Sequence, residues 1–176
     1  MLETIKKSWN ECIDNMKKLI IVRHAKSSWE NGLSDKDRPL VSKGIERANE
    51  HARMLKSQLK DFPKMWVSSH ALRALHTAVI FGREFDKLED IKIQKSLYTF
   101  SAKDLMQVIR EFSDHVDSVI IFAHNEACLQ AISAYTGKYI VEFKTASVAF
   151  IEFNQSHWKN IKEGNLKFTI SKEEIQ

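Results

Sequence analysis

The feature that most constrains this chain is its alternation of short, unbroken apolar runs with segments whose apolar residues recur at helical spacing. Leu19–Val22 reads LIIV, Met65–Val67 reads MWV and Val119–Ala123 reads VIIFA. Runs this short, with no polar residue inside them, suit strands covered on both faces. Between them, Ile45, Ala48, Ala52, Met54, Leu55 and Leu59 share one helical face. That helix is predicted to start near Ser42, with Glu46 close by, and to stop before Pro63. Ala71–Phe85 reads as a second helix, and Ile91–Leu97 as a weaker strand alternating through Ile91, Ile93 and Leu97. Ser101 is placed to cap a helix carrying Leu105, Met106, Val108, Ile109 and Phe112, and Glu126–Tyr135 is helical up to Gly137. Ser147–Phe153 and Leu166–Ile170 alternate apolar with polar residues, the pattern of an antiparallel edge hairpin. Together these predict an α/β fold: a three-layer α/β/α single domain with a mostly parallel central sheet and an antiparallel C-terminal edge.

Length and composition agree with one domain. The chain has 176 residues, 43% of them hydrophobic, enough for one full core. No apolar run nears the roughly 20 residues of a membrane helix, and the first 15 residues have neither an apolar core nor a small-residue cleavage site. The expectation is a cytoplasmic protein that uses no membrane. Residues 1–15 precede Met16 and the run KKLIIVRH, and read as an N-terminal extension, either an appended helix or the product of an upstream start, with the domain itself over 16–176. Cys12 and Cys128 are too few for a disulfide framework. The net charge is +4 and the pI about 9.0, but Lys and Arg are interleaved with Asp and Glu. Nucleic acid is therefore not expected as a partner, since its binding calls for a basic stripe; an anionic substrate accounts for the charge as well.

Ligands of open α/β sheets bind where the parallel strands end. Three such ends carry chemistry: Arg23 and His24 after the first run, Ser68, Ser69 and His70 with Arg73 after the second, and His124, Asn125 and Glu126 after VIIFA. His70 and His76 read as surface or helix-packing residues, and His51, His115 and His157 as solvent-facing. No His pair at metal-ligand spacing and no neighbouring carboxylate accompanies His24 or His124, so no metal is expected. Two His and two Arg on one rim have a shared use. Guanidinium forks stabilise the charge spread over a transferring phosphoryl group, and a neutral imidazole nitrogen attacks it.

The motifs carry a resemblance. RHAKSSW at 23–29 resembles the RHG signature of the histidine phosphatase superfamily, the phosphoglycerate-mutase-like proteins; Ala25 in place of Gly is similar to the SixA branch of phosphohistidine phosphatases. SDKDRPLVSKG at 34–44, SSHALRALHTA at 68–78 and FAHNEA at 122–127 resemble further motifs of that family, in its order. The resemblance implies that His24 is the nucleophile, forming a phosphohistidine intermediate, that Arg23, Arg73 and His124 bind the phosphoryl group, and that Ser27 and Asn125 are further substrate contacts. It implies no cofactor. The stretch SLYTFSAKD at 96–104 has no carboxylate before Asp104 where mutases of the superfamily carry an acid, which leaves Glu126 or Asp104 as stand-ins. Glu30 and Asn31 follow Trp29 where many relatives have Asn first. A phosphohistidine leaves as an imidazole and needs an enzyme acid less than an ester does, so a phosphorylated protein is the expected substrate. The alternatives are a small phosphate ester on the same scaffold, and a module that binds a phosphorylated ligand without hydrolysing it.

Overall fold

The alternating faces of the strands decide the layering. In this computed structural model, which describes residues 16–29 and 32–171, the first strand, β1 (Lys17–Arg23), sends Leu19 and Ile21 into one apolar cluster and Ile20 and Val22 into another. A strand fully buried in this way is central, and its neighbours confirm that. β4 (Ser118–Ala123) pairs with it in parallel on one side, and β5 (Val148–Phe153) antiparallel on the other. With β2 (Met65–Ser68), β3 (Ile91–Ile93) and β6 (Gly164–Ile170), the sheet runs β3-β2-β4-β1-β5-β6. The pairs β3-β2, β2-β4 and β4-β1 are parallel, and the C-terminal edge is antiparallel.

Helices α1 (Ser42–Gln58) and α2 (Leu72–Phe85) cover the face of Ile20 and Val22, through Ala48, Ala52, Leu55, Ala78 and Phe81. Helices α3 (Ala102–Arg110) and α4 (Asn125–Thr136) cover the face of Leu19 and Ile21, through Leu105, Ile109, Ala131 and Ile132. This is the three-layer arrangement that the sequence predicts.

The local punctuation mostly matches as well. The Ser101 side chain accepts from the Asp104 amide at the start of α3, and Gly137 ends α4 with φ of 64°, the left-handed region that glycine enters without steric cost. α1 starts at Ser42 as predicted, after Val41 and with no side chain capping it. Two details differ. β3 stops at Ile93: as an edge strand it leaves Ile93 exposed, and a 3-10 turn over Lys95–Leu97 carries Leu97 into the core instead. α3 ends at Arg110, two residues short of Phe112, which is still buried. The extension predicted over residues 1–15, and Glu30 and Asn31, lie outside the described residues.

Among the described residues no helix is long and apolar enough to cross a membrane.

Candidate active site

Strand β1 delivers its last residues to the rim where β2 and β4 also end. The His24 amide donates to Ala123 O at 3.1 Å, continuing the β1-β4 ladder one residue past the strand, and His24 O accepts from the Ala146 amide at 3.2 Å. With its backbone fixed on both sides, the ring is fixed too: Nδ1 lies 2.8 Å from Ala25 O and donates to it, because a carbonyl only accepts. Nε2 is then the nitrogen with the free lone pair, and Arg73 Nε donates to it at 3.1 Å.

Arg73 sits in the first turn of α2 and reaches the second histidine, its Nη2 being 3.2 Å from His124 Nδ1. An arginine can only donate, so Nδ1 accepts, and His124 Nε2 carries the proton given to Ser69 Oγ at 3.0 Å. The two imidazole centroids are 5.4 Å apart. Thr77, one turn further along α2, ties the assembly together: its hydroxyl accepts from the Ala25 amide at 3.0 Å and donates to Arg73 O at 2.6 Å. His24, Arg73 and His124 are all buried.

Burial sets the charge state of the pair. It holds His24 down to about 3, with the positive charges of Arg73 and Arg23 adding to it and the Ala25 hydrogen bond opposing it. It also holds His124 down to about 3, with Arg73 adding and Asp35 opposing. Both rings are neutral at pH 7. A neutral His24 whose Nε2 lone pair meets a guanidinium is the protonation state that nucleophilic attack requires.

A carboxylate also reaches the cluster, and it is neither Glu126 nor Asp104. Glu126 is exposed and accepts from the Asn125 amide group at 3.1 Å, and Asp104 accepts from Thr99. Asp35, in the loop between β1 and α1, instead receives Arg73 Nη2 at 2.9 Å and the Tyr98 hydroxyl at 2.6 Å on one carboxylate oxygen, with Arg38 Nε 3.4 Å from the other. Its backbone carbonyl accepts from Arg73 Nη1 as well. Burial raises the Asp35 carboxyl, but the bonds from Tyr98 and Arg73 outweigh it and hold the group below the usual carboxylate range. Asp35 is thus ionised and stands on the donors of Arg73 that an incoming anion would use.

Of the predicted residues, His24, Arg73 and His124 come together as one hydrogen-bonded cluster. Arg23 flanks them: its charge bears on His24, its Nη1 donates to Phe143 O at 2.6 Å, and its Nε is buried with no hydrogen-bond partner. Ser27 belongs to the periphery, where its Oγ accepts from Arg38 at 3.0 Å. Asn125 makes no bond to the cluster; it begins α4, and its Oδ1 is buried without a partner.

The sequence reading missed Asp35, Arg38, Thr77 and Tyr98 as site residues, and placed Ser69 on the rim without giving it a role. All but Tyr98 lie inside the quoted motifs, so the signal was present as pattern without assigned roles. His70 also differs from its surface reading, since its ring lies 5.1 Å from that of Tyr98, itself 5.2 Å from His124. His51, read as solvent-facing, is buried in α1 and donates from Nδ1 to Ala146 O at 2.8 Å. It lies three residues after Ala48 and four before Leu55, on the buried stripe of the helix, so its position was legible and only its polar side chain argued for solvent. Among the described residues no group of three or more His, Cys, Asp or Glu could hold a metal ion.

Comparison with known proteins identifies the family and the fold. Residues 19–106 match the histidine phosphatase superfamily (branch 1). The chain is 29% identical over 153 residues to an uncharacterized chloroplastic protein of Arabidopsis thaliana, covering 81% of this chain and 69% of that protein. It is 25% identical over 153 residues to an uncharacterized protein of Mycobacterium tuberculosis, covering 81% and 93%. Among solved structures, a candidate phosphohistidine phosphatase SixA from Agrobacterium tumefaciens superposes with a TM-score of 0.76 at 22% identity, covering 89% of this chain and 98% of that one. The protein histidine phosphatase SixA complexed with tungstate gives 0.68 at 21%, covering 88% and 96%. A mycobacterial glucosyl-3-phosphoglycerate phosphatase gives 0.66 at 15%, covering 86% and 97%.

Proposed function

From the premise that this chain belongs to the histidine phosphatase superfamily, branch 1, we propose that it is a phosphatase working through a covalent phosphohistidine on His24, with phosphohistidine on a protein as its substrate. The observation that carries the reading is the tautomer of His24: Nδ1 is committed to Ala25 O, and Nε2 meets the Arg73 guanidinium. In the proposed cycle Nε2 attacks phosphorus and a P–N bond to the substrate imidazole breaks. Arg73, with Arg23 beside it, neutralises the equatorial oxygens. His124, held by the same Arg73 with its ring centroid 5.4 Å from that of His24, polarises the phosphoryl group. Water then attacks phosphorus, the P–Nε2 bond breaks, inorganic phosphate leaves, and His24 returns neutral. Nothing in this cycle calls on a metal or an organic cofactor.

Substrate choice follows from the carboxylate. An alkoxide leaving from an ester needs a proton, and Asp35, held ionised by Tyr98 and Arg73, is a poor donor. A substrate imidazole protonated on its other nitrogen leaves without one. The second reading, a small phosphate ester, draws on the shared fold of the glucosyl-3-phosphoglycerate phosphatase and on the presence of that same carboxylate. Rates on a phosphohistidine protein beside a panel of phosphate esters decide between them. Acid quench with labelled substrate should trap phosphate on the wild type and none on His24→Ala. A His24→Ala variant that turns over at the wild-type rate would refute the mechanism, turnover without a trapped adduct would point to a different nucleophile or direct attack by water, and binding with neither turnover nor adduct would favour the non-catalytic module.

A further inference from the structure

Beside the cluster, a cleft of about 310 Å³ is lined by Arg23, Lys26, Lys43, Arg47, Lys144 and Glu142, with Thr145. Five cations face one carboxylate there, which leaves four net positive charges. The formal net charge of the whole chain is +4, from 27 Lys and Arg against 23 Asp and Glu. The other charged residues of the sequence balance in total, 22 cations against 22 acids. Glu142 pairs weakly with Lys144 at 3.8 Å. Among the described residues, no ion pair or hydrogen bond engages the Lys26, Lys43 and Arg47 side chains. Uncompensated like charges held together cost free energy unless an anion joins them.

The walls are built rather than accidental. Arg23 comes from the end of β1, Lys43 and Arg47 from the first turns of α1, and Lys144 from the loop before β5. That loop is pinned at both ends: Phe143 O accepts from Arg23, the Ala146 amide donates to His24 O, and Ala146 O accepts from the buried His51. Ala146 has φ of 64°, a conformation that costs an alanine of order 1 kcal/mol or more and persists only where its surroundings over-determine it. A second observation lies on the same rim. β5 begins opposite Val22 at the end of β1, so the loop before it opens beside the other site loops. Tyr139 and Val141, in the segment between α4 and β5, are 90% and 80% exposed. Val141 directly precedes the lining residue Glu142, so an exposed aliphatic side chain adjoins the cations, a mixture that a protein interface uses.

Resting on the phosphohistidine reading above, we infer that this flank docks an acidic surface of the phosphorylated partner, with carboxylates flanking the phosphohistidine seated on Lys26, Lys43 and Arg47. Focused charge of one sign raises association rates and is screened by salt.

The test uses short synthetic peptides with a central phosphohistidine flanked by Glu or by Ser, with p-nitrophenyl phosphate as a third substrate. At low salt the wild type should process the Glu-flanked peptide at least about tenfold faster in kcat/KM, and that preference should shrink as salt rises. The variant K26Q/K43Q/R47Q alters exposed or half-exposed side chains that make no hydrogen bond to the cluster. It should keep the wild-type melting temperature and its rate on p-nitrophenyl phosphate, and lose the preference. Equal rates on both peptides, or a preference that survives in the variant, overturns the docking surface while leaving phosphohistidine turnover intact. No turnover of either peptide beside normal hydrolysis of p-nitrophenyl phosphate overturns the phosphohistidine reading and the docking with it. A preference for bisphosphate over monophosphate esters, abolished in the variant, would assign the cleft to a second phosphate and overturn an acidic protein surface.

Discussion

Replacing Asp35 with Asn tests whether this carboxylate competes with the substrate. Its carboxylate oxygen accepts from Arg73 Nη2 at 2.9 Å and from Tyr98 at 2.6 Å. An anion bound by Arg73 has to displace it. At 2.9 Å and an effective dielectric constant of about 20, the gross attraction between the two charges is roughly 6 kcal/mol. The Asp35 side chain is 40% exposed while Arg73 is 1% exposed, so solvent screens one partner and desolvation taxes the other. The net value should fall between that of an exposed pair and a buried one, about 1–3 kcal/mol. Asn keeps the shape and one acceptor but loses the charge. Inorganic phosphate, assayed as a competitive inhibitor of p-nitrophenyl phosphate hydrolysis, should therefore bind roughly 5- to 150-fold more tightly to Asp35→Asn.

The same change leaves the buried Arg73 without its counterion. The ligand-free variant should melt about 2–12 °C lower, and phosphate should recover more of that loss than it adds to the wild type. Tyr98→Phe is the control, since it removes one hydrogen bond from Asp35 and no charge, and should move phosphate affinity by less than about fivefold. An inhibition constant that stays put or weakens while the melting temperature drops would refute competition and make Asp35 an orienting partner of Arg73.

Two further outcomes follow from the packing and the buried rings. His24 and His124 have pKa values depressed to about 3 in the fold against about 6.5 when unfolded, so the unfolded chain binds more protons. The stability that depends on keeping both rings neutral is complete above pH 6.5 and declines as pH falls toward 3; at pH 5 the loss should be roughly 2–4 kcal/mol. Urea melts across that range check it: the loss should shrink in His24→Ala/His124→Ala, and an unchanged pH profile in that variant would refute the assignment. Gly44→Ala should destabilise the fold by about 2 kcal/mol or more, although Ala is normally the better helix former by about 1 kcal/mol. A Cβ at Gly44 would run into the Lys26 carbonyl, the acceptor of the Val41 amide, so the first turn of α1 cannot retreat without losing that bond. A Gly44→Ala variant as stable as the wild type would refute that close approach.

How much of this was legible in the sequence depends on how far apart the interacting residues are. The strands that carry the site were plain, because a strand covered on both faces leaves an unbroken apolar run, and LIIV and VIIFA lie side by side as β1 and β4. The positions of His24, Arg73 and His124 then followed from the rule that parallel strands present their ends on one rim. Loop geometry was not available in that way. Asp35 stands 38 residues from Arg73, and Tyr98 63 residues from Asp35, and no periodicity links a loop side chain to its partner. His51 was misplaced for another reason: it falls on the buried stripe of α1 with Ala48 and Leu55, but its polarity argued for solvent, and the Ala146 carbonyl 95 residues away that satisfies it is not visible in the sequence. The weak strand over 91–97 failed for a different reason. Alternation marks a strand only while a neighbour continues, and the β2-β3 pairing ends at Ser68 and Ile93.

The missing acid and the misplaced carboxylate bear on each other. The sequence shows no carboxylate after the third strand until Asp104, which argued for a substrate that leaves without one. The structure supplies a carboxylate at the cluster from another loop, but in a form that does not reverse the argument. A general acid must be protonated before the reaction and be able to release its proton near the operating pH. Asp35 is bound by two donors that stabilise its anion, and its pKa lies below the usual range, so it enters the reaction already deprotonated. When a phosphoryl group takes over Arg73, Asp35 loses the partner that holds it ionised and moves next to new negative charge, both of which raise its pKa. A proton reaching it at that stage must come from solvent, before the leaving group departs. An alkoxide depends on that proton arriving in time, whereas an imidazole already protonated on its other nitrogen does not. The chemistry of Asp35 therefore favours the phosphoramidate over the ester even though the carboxylate is present.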